Sequence, residues 1–217
     1  MGARENILQR IRVNLGKAGS ASEAEADAAR AYIGAHSHGP RPNDAITDLA
    51  VRFKSRAQSL ASTVDEVAGS SGVPAAVARY LEERGLTKEG VCWPEFAALD
   101  WDAQGIVLHA RAPGGAEKLG ITGAYCAIAE TGTLVLVSGP RTPAATSLLP
   151  DTHIAVLPIS CLCCAMEEAF DLLRKRDGGL SRAVNFISGP SRTADIEQTV
   201  VLGAHGPYRV HIILLQA

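Results

Sequence analysis

Residues 120–137, which read GITGAYCAIAETGTLVLV, contain the sequence pattern that decides the fold. They end in Thr133–Val137, an apolar run of strand length without polar alternation, typical of a strand covered on both faces. Short strand-like runs recur along the chain, at 63–67, 91–93, 106–109, 154–157, 183–187 and 210–215. Helical patterns lie between several of these runs, as at 74–83, where a proline stands at the predicted helix start. This alternation predicts an α/β domain with a mainly parallel sheet flanked by helices.

The first 61 residues differ from the rest of the chain and predict a helical extension before an α/β domain at 62–217. Ile7, Ile11 and Leu15 form one apolar stripe at helical spacing, and a third helix is expected over 44–59. The prolines and glycine of 36–42 predict a linker between these helices. Within the α/β domain, apolar spacing also predicts a helix over 161–176.

The composition argues against several functional classes. The chain has 217 residues and a net charge of −2 without a basic block, which argues against a nucleic-acid-binding surface. No apolar run approaches the roughly 18–20 residues of a membrane-spanning helix. The N-terminus lacks a secretory pattern, and the five cysteines do not resemble the disulfide framework of a secreted protein. We therefore expect a cytoplasmic protein with neither a membrane nor a nucleic-acid partner.

The first candidate site is the segment around Glu130, which follows an apolar run and precedes the buried-looking strand. A carboxylate is costly there unless it is paired or used in chemistry. Gly132 leaves the backbone open to a close approach by a ligand. An ordinary turn with a locally paired Glu130 explains the pattern equally well, so both interpretations stay open.

The second candidate site extends from Arg141 to His153. Arg141 could bind a carboxylate or phosphate in bidentate fashion. His153 stands directly before an apolar run and could act as a general acid or base. A lone histidine at a strand start is more often structural, satisfied by the backbone.

The third candidate site is the segment 188–197, SGPSRTADIE, which follows the predicted strand at 183–187. A strand that leads into a loop of glycine and hydroxyl residues presents N–H groups to an anion, and Arg192 adds positive charge. The segment matches neither a Walker A loop nor a dinucleotide-binding glycine motif. His205 lies in a following turn and could face the same crevice. The alternative is an ordinary proline-containing turn capped by Ser191.

The cysteines at 161, 163 and 164 raise the question of a metal site. Zinc and iron–sulfur sites usually combine CxxC-type pairs into a set of four ligands, and this spacing differs. Free cysteines are commonly buried as small apolar residues. We therefore predict no metal and no cofactor in this chain.

Three segments together resemble the LUD domain family: GITGAYCAIAETGTLVL at 120–136, an arginine at 141 with SLLPDTHIAVLP at 147–158, and ISGPSRTADIE with VLGAHGPYRVHIILL at 187–215. The N-terminal ARENILQRIR is similar to the opening helix of the lactate-utilisation branch, whose members contain only this domain. The resemblance implies a fold similar to the sugar-phosphate isomerase/CoA-transferase group. The cysteine-rich segment at 161–164 has no counterpart among the family motifs.

The resemblance also implies a function, the oxidation of L-lactate to pyruvate. The expected partners are an iron–sulfur protein with its own LUD-like domain and a cysteine-rich protein, and the iron–sulfur clusters are expected on those partners. The family's motif positions, without settled individual roles, correspond to Thr122, Glu130, Thr131, Gly132, Thr133, Arg141, Ser188, Gly189, Ser191, Arg192, Thr193, Asp195, Glu197, His205 and Gly206.

A mechanism follows as a hypothesis from the position of ligands in open parallel sheets, which bind beyond the carboxyl ends of the strands. The loops at 130–133 and 188–195 would face one crevice and bind a small carboxylate or phosphate, with Arg192 as the clamp. Glu130 or His205 would transfer a proton.

Other functional classes remain open at this point. An autonomous isomerase, CoA transferase or formyltetrahydrofolate cyclo-ligase-like enzyme is compatible with the fold, since fold alone does not fix function. A non-catalytic assembly subunit is a further alternative. The N-terminal helices could mediate docking of that kind or a homodimer contact.

Overall fold

The computed structural model describes residues 2–17, 19–40, 46–176, 179, 181–193 and 201–216. The chain forms two compact units, Met1–Asn43 and Asp44–Ala217. The helices are α1 (Ala3–Asn14), α2 (Glu23–Ala35), α3 (Leu49–Ser59), α4 (Val73–Glu83), α5 (Ala145–Leu148) and α6 (Met166–Lys175). The strands are β1 (Thr63–Val67), β2 (Glu89–Cys92), β3 (Val107–His109), β4 (Leu119–Gly123), β5 (Cys126–Ile128), β6 (Thr133–Val137), β7 (Thr152–Pro158), β8 (Leu162–Cys163), β9 (Val184–Ile187), β10 (Arg192–Thr193), β11 (Val201–Leu202) and β12 (Arg209–Leu215).

The first unit contains α1 and α2. Ser22 and Glu25 form a capping box at the start of α2, since each side chain bonds the other residue's backbone N–H. Lys17 adds an ion pair with Glu25. Every residue of both helices is at least partly exposed, so neither helix contains a buried residue.

The second unit is built on a six-stranded sheet in the order β1-β12-β7-β4-β2-β3, in which every neighbouring pair is parallel. The predicted α/β class with a mainly parallel sheet is therefore confirmed. In this sheet the inner strands β7 and β12 are buried along nearly their whole length, which explains their continuous apolar runs.

A second sheet, in the order β8-β5-β6-β9, packs over the first and creates a layered core. One face of the six-stranded sheet packs on α4, through residues such as Ile121, Ile154 and Ile213. The opposite face packs on α3 and on the second sheet, where Phe53 meets Leu134 and Ile212 in one cluster. The outer face of the second sheet is covered by α6.

Helix α3 belongs to the α/β unit, whereas the sequence placed it in the helical extension. Asp48 caps its start by accepting hydrogen bonds from the N–H groups of Ala50 and Val51. Phe53 and Ala57 are fully buried in the core between the two sheets. The boundary between the units therefore lies near residue 44 and not at residue 61.

Three local expectations differ from the structure. The runs Thr133–Val137 and 183–187 were expected in the parallel sheet, but β6 and β9 pair antiparallel in the second sheet. The reason for β6 is the tight turn 129–132, because a short hairpin can only join antiparallel strands. The helix expected over 161–176 begins at Met166, since Leu162 and Cys163 pair with β5 instead. Within the described residues, no helix is long and apolar enough to cross a membrane.

Candidate functional site

The structure brings the two predicted motif loops together. The turn after β5 contains Thr131, whose Oγ1 lies 2.7 Å from the Oγ1 of Thr133. The same Thr133 oxygen lies 2.7 Å from the Oγ of Ser188, which directly follows β9. We call Thr131, Thr133 and Ser188 the hydroxyl cluster. Thr133 is buried, Thr131 is half-buried and Ser188 is exposed, so the buried hydroxyl lies between a half-buried and an exposed one.

The motif glycines pack against the C-terminal end of α3. Gly132 has a φ of +69°, and a Cβ there would lie 2.5 Å from the backbone nitrogen of Ala57. Gly189 has a φ of +84°, and its Cβ would collide with the carbonyl oxygen of Leu60. Both positions therefore need glycine for backbone conformation and for space. The two loops therefore pack directly against the C-terminal end of α3.

Arg192 contacts the same helix end. Its Nη2 donates a hydrogen bond of 2.8 Å to the carbonyl oxygen of Leu60, the residue that follows α3. The last carbonyls of a helix carry a partial negative charge, so an arginine there is stabilising. This contact gives Arg192 a role in the fold, besides the predicted role as an anion clamp.

We expect Arg192→Ala to lower the free energy of unfolding by about 1 kcal/mol, because a charged hydrogen bond to a helix terminus is lost. Urea unfolding followed by circular dichroism measures this change. The matched control is Arg182→Ala, which removes an exposed arginine just before β9. Equal stability of the two variants would show that the contact with Leu60 contributes nothing.

The remaining residues of the third motif are held by backbone contacts. Ser191 donates its N–H to the carbonyl of Pro207, and its own carbonyl accepts from Gly203. A Cβ on Gly206 would lie 3.3 Å from the Cβ of Ser191. Thr193 pairs with Val201 in the short ladder of β10 and β11. His205 is exposed, and Asp195 and Glu197 lie outside the described residues.

These loops lie at the amino ends of the parallel strands, whereas the hypothesis placed them beyond the carboxyl ends. Leu60 lies three residues before the start of β1, and Pro207 lies two residues before the start of β12. Leu148, which lies close to Gly206, stands shortly before β7. The difference arises because β5, β6 and β9 belong to the second sheet, so their loops emerge at the opposite edge.

Thr122 and His153 form a buried pair in neighbouring strands. The Oγ1 of Thr122 lies 2.8 Å from the Nε2 of His153, and both residues are fully buried. Burial lowers the pKa of His153 to about 4, so its imidazole is neutral near pH 7. Thr122, predicted as a ligand-binding residue, is therefore an interior residue whose hydroxyl is hydrogen-bonded to the imidazole of His153.

Sequence reasoning missed Glu95, which lies at the carboxyl ends of the parallel strands. Its Oε1 would be 2.5 Å from a Cβ on Gly123, the last residue of β4. Glu95 is an exposed residue, but partial burial of its carboxyl group raises the pKa of that group, and the positive charge of Arg141 opposes this shift. Arg141 itself is exposed. The position of Glu95 shortly after β2 could have identified it, because ligands of parallel sheets bind beyond the carboxyl ends of the strands.

Three of the cysteines lie close together across β5 and β8. Interaction between the thiols of Cys126 and Cys163 raises the pKa of Cys126 and lowers that of Cys163, and the Cys163 thiol donates to the carbonyl oxygen of Ala127 at 3.3 Å. Cys161 is near enough to interact electrostatically with Cys126. In the part of the chain that the structure describes, no group of three or more His, Cys, Asp or Glu side chains is arranged to hold a metal ion.

Residues 50–215 match the LUD domain family. This chain belongs to the LUD domain family. The match begins within α3, in agreement with the place of that helix in the α/β unit. All three motifs that carry the resemblance fall inside the LUD domain, whereas α1 and α2 precede it.

This chain is similar to curated relatives and to a solved structure. Lactate utilization protein C of Bacillus subtilis (strain 168) is 34% identical over 162 residues, covering 70% of this chain and 66% of that protein. Lactate utilization protein C of Bacillus velezensis is 37% identical over 129 residues, covering 57% of this chain and 53% of that protein. The alignments thus span between half and two thirds of these relatives. A DUF162 family protein from Deinococcus radiodurans has the same fold, with a TM-score of 0.57 and 22% identity over 77% of this chain and 96% of that chain.

Proposed function

We propose that this protein is a subunit of a cytoplasmic, iron–sulfur-dependent system that oxidises L-lactate to pyruvate. The observation that carries the proposal is the similarity to relatives named Lactate utilization protein C, which extends over 162 residues in the Bacillus subtilis protein. The proposed partners are an iron–sulfur protein with a LUD-like domain and a cysteine-rich protein.

The proposed reaction is a dehydrogenation. The C–H and O–H bonds at the carbinol carbon of lactate break and a C=O bond forms. The electron pair passes to the iron–sulfur partner, and both protons leave to bases or solvent. In this proposal the chain contributes binding and proton transfer, and the iron–sulfur clusters lie on the partners.

The proposed anion site is the open side of the hydroxyl cluster. Ser188 and Arg192 are exposed there, and Glu130 is half-buried in the adjoining turn. A hydroxyl and a guanidinium are suitable donors to a lactate carboxylate or a phosphate. Glu130, or His205 in the following turn, would take up the proton.

Lactate-dependent dye reduction tests the proposal. The assay compares this chain alone, the candidate iron–sulfur and cysteine-rich partners alone, and all components together. We expect reduction only in the complete mixture, and a loss of about tenfold or more for Glu130→Gln. The matched control is Glu89→Gln, an exposed carboxylate on β2. Undiminished activity of the partners without this chain would refute the proposal.

A second candidate function, assembly without catalysis, is favoured by the packing of the motif residues. Gly132, Gly189 and Arg192 all contact the end of α3, so these motif positions also have structural reasons for their identity. In this case Glu130→Gln and Ser188→Ala would leave both complex formation and dye reduction unchanged. Phosphate would then fail to stabilise the protein against urea, whereas a bound anion stabilises the folded state by mass action.

A further inference from the structure

A cavity of about 380 Å³ lies at the carboxyl ends of the parallel strands, away from the motif loops. Its floor is formed by the ends of three neighbouring strands, at Gly123 of β4, Val156 of β7 and Leu215 of β12. Val73, the first residue of α4, also lines the cavity, together with Phe96 and Leu99. We call this space the carboxyl-edge cavity. Its volume is within the range of sites that bind small organic ligands.

The lining of the cavity is mostly apolar, with few polar groups. Val73, Phe96, Leu99, Val156 and Leu215 provide hydrocarbon surface. A ligand that fills the cavity would therefore bind mainly through its apolar body.

Glu95 is the ionisable acid in this lining. Its carboxylate lies over Gly123, where the missing side chain leaves room for it. A carboxylate accepts hydrogen bonds and repels anions, so it selects a ligand with N–H donors and without negative charge. Ser70 and Cys161 are the other polar side chains at the wall.

A lactate anion does not suit this lining. It is too small to fill the cavity, and its charge would face the carboxylate of Glu95. Arg141 acts on Glu95 from nearby, but it does not belong to the lining. The cavity and the proposed lactate site therefore differ in both size and charge preference.

We propose that the carboxyl-edge cavity binds a flat, mostly apolar heterocycle that presents a pair of N–H donors to Glu95. A cyclic amidine or aminoheterocycle edge supplies two parallel N–H groups, which match the two oxygens of a carboxylate. The heterocyclic ring packs against Val73, Phe96 and Leu99. This site is independent of the proposed lactate function, since it uses other residues at the opposite edge of the sheet.

The test uses 2-aminobenzimidazole as the probe and benzoate as a probe of similar shape with the opposite charge. Nuclear magnetic resonance titration of the full chain follows the backbone amides of Gly123 and Ser70. We expect saturable shifts with 2-aminobenzimidazole, at a dissociation constant of about 1 mM or tighter. Benzoate is expected to bind at least about tenfold more weakly, because it meets the Glu95 carboxylate.

Two variants and one control assign the binding to the cavity. Glu95→Gln keeps the shape of the side chain and removes its charge, and we expect it to raise the dissociation constant of 2-aminobenzimidazole by about tenfold or more. Leu99→Trp narrows the cavity, and we expect it to weaken the binding of both probes. Glu89→Gln removes a distant exposed carboxylate and should bind as the parent does. The dispersion of each spectrum shows whether the variant is folded.

A chemical measurement provides a second readout on the unmodified chain. Cys161 lines the cavity, whereas the neighbouring Cys164 is not among its lining residues. The probe should slow the alkylation of Cys161 by iodoacetamide and leave Cys164 unaffected, as read by tandem mass spectrometry. The proposal is overturned if the probe gives no saturable shift, if Glu95→Gln binds equally well, or if both cysteines react unchanged.

Discussion

Lowering the pH from 7 to 4 is expected to reduce the free energy of unfolding by about 3 kcal/mol for each of two buried histidines, His153 and His211. The pKa of each is lowered to about 4 in the folded protein, chiefly by burial, whereas the unfolded value is about 6.5. Between these values the unfolded chain binds a proton that the folded protein does not bind. Stability is therefore highest above pH 6.5 and is lost as the pH falls toward 4.

The surroundings of the two histidines differ. His153 is fully buried, and Thr122 is its hydrogen-bonding partner at 2.8 Å. His211 stacks on Tyr80 with ring centroids 4.0 Å apart, and its Nδ1 lies 2.8 Å from the hydroxyl of Thr63. Asp65 lies 3.8 Å from its Nε2 and favours protonation, against the effect of burial and of nearby Arg79 and Arg84. The lowered pKa of His153 therefore depends on burial alone, whereas charged neighbours also act on His211.

Urea unfolding at a series of pH values, in parallel with nuclear magnetic resonance titration of the imidazoles, measures this effect. We expect the imidazole of His153 to remain neutral at pH 6, because burial lowers its pKa to about 4. His153→Gln should remove part of the pH dependence, and His109→Gln should leave it intact. A titration of His153 near 6.5 would contradict the expectation. If His153→Gln does not fold, the titration of the parent protein still decides the point.

The fold class could be predicted from the sequence because burial on both faces gives a strand a continuous apolar run. The runs at 154–157 and 210–215 became the central parallel strands β7 and β12. The same rule could not assign Thr133–Val137 to a sheet, since a strand between two layers has this pattern in either sheet. Its partners β5 and β9 are set by the hairpin turn and by tertiary packing.

Helix propensity gave the wrong secondary structure for residues 161–165, where pairing with a neighbouring strand determines the structure. Residues 161–165 continue the helical apolar spacing of α6, but Leu162 and Cys163 pair with β5 in the structure. The pairing buries Cys163 against the core under α6, and this gain is invisible in a local window. Helix propensity is a weak preference of this kind and is readily overridden by tertiary contacts.

The candidate site could be predicted only in part, for a related reason. The motif loops were identified from their glycines and hydroxyls, and Thr133 and Ser188 do meet. The contact of Gly132 and Gly189 with α3 was not predictable, because the helix lies far away in the sequence. Glu95 was missed because it carries no motif, and its significance comes from its position over Gly123.

Replacing Gly132 or Gly189 by alanine is expected to cost about 2–5 kcal/mol of stability, a large share of the roughly 5–15 kcal/mol of a typical domain. Each substitution forces an L-residue into the left-handed region, which costs about 1–2 kcal/mol. Each also drives a Cβ into the backbone of α3 or the residue after it, and overpacking of this kind costs about 1–3 kcal/mol more.

Gly85→Ala separates the two contributions, because Gly85 has a φ of +61° with no atom within 4 Å of its hypothetical Cβ. That variant should lose only the conformational part, about 1 kcal/mol. Urea unfolding midpoints of the three variants measure the difference. If all three lose equal stability, α3 does not depend on close contact with the motif loops, and their glycines need another explanation. A larger loss at 132 and 189 means that the motif glycines are needed, at least in part, for close packing of α3. Functional assays of motif variants then require a stability measurement of the same variants.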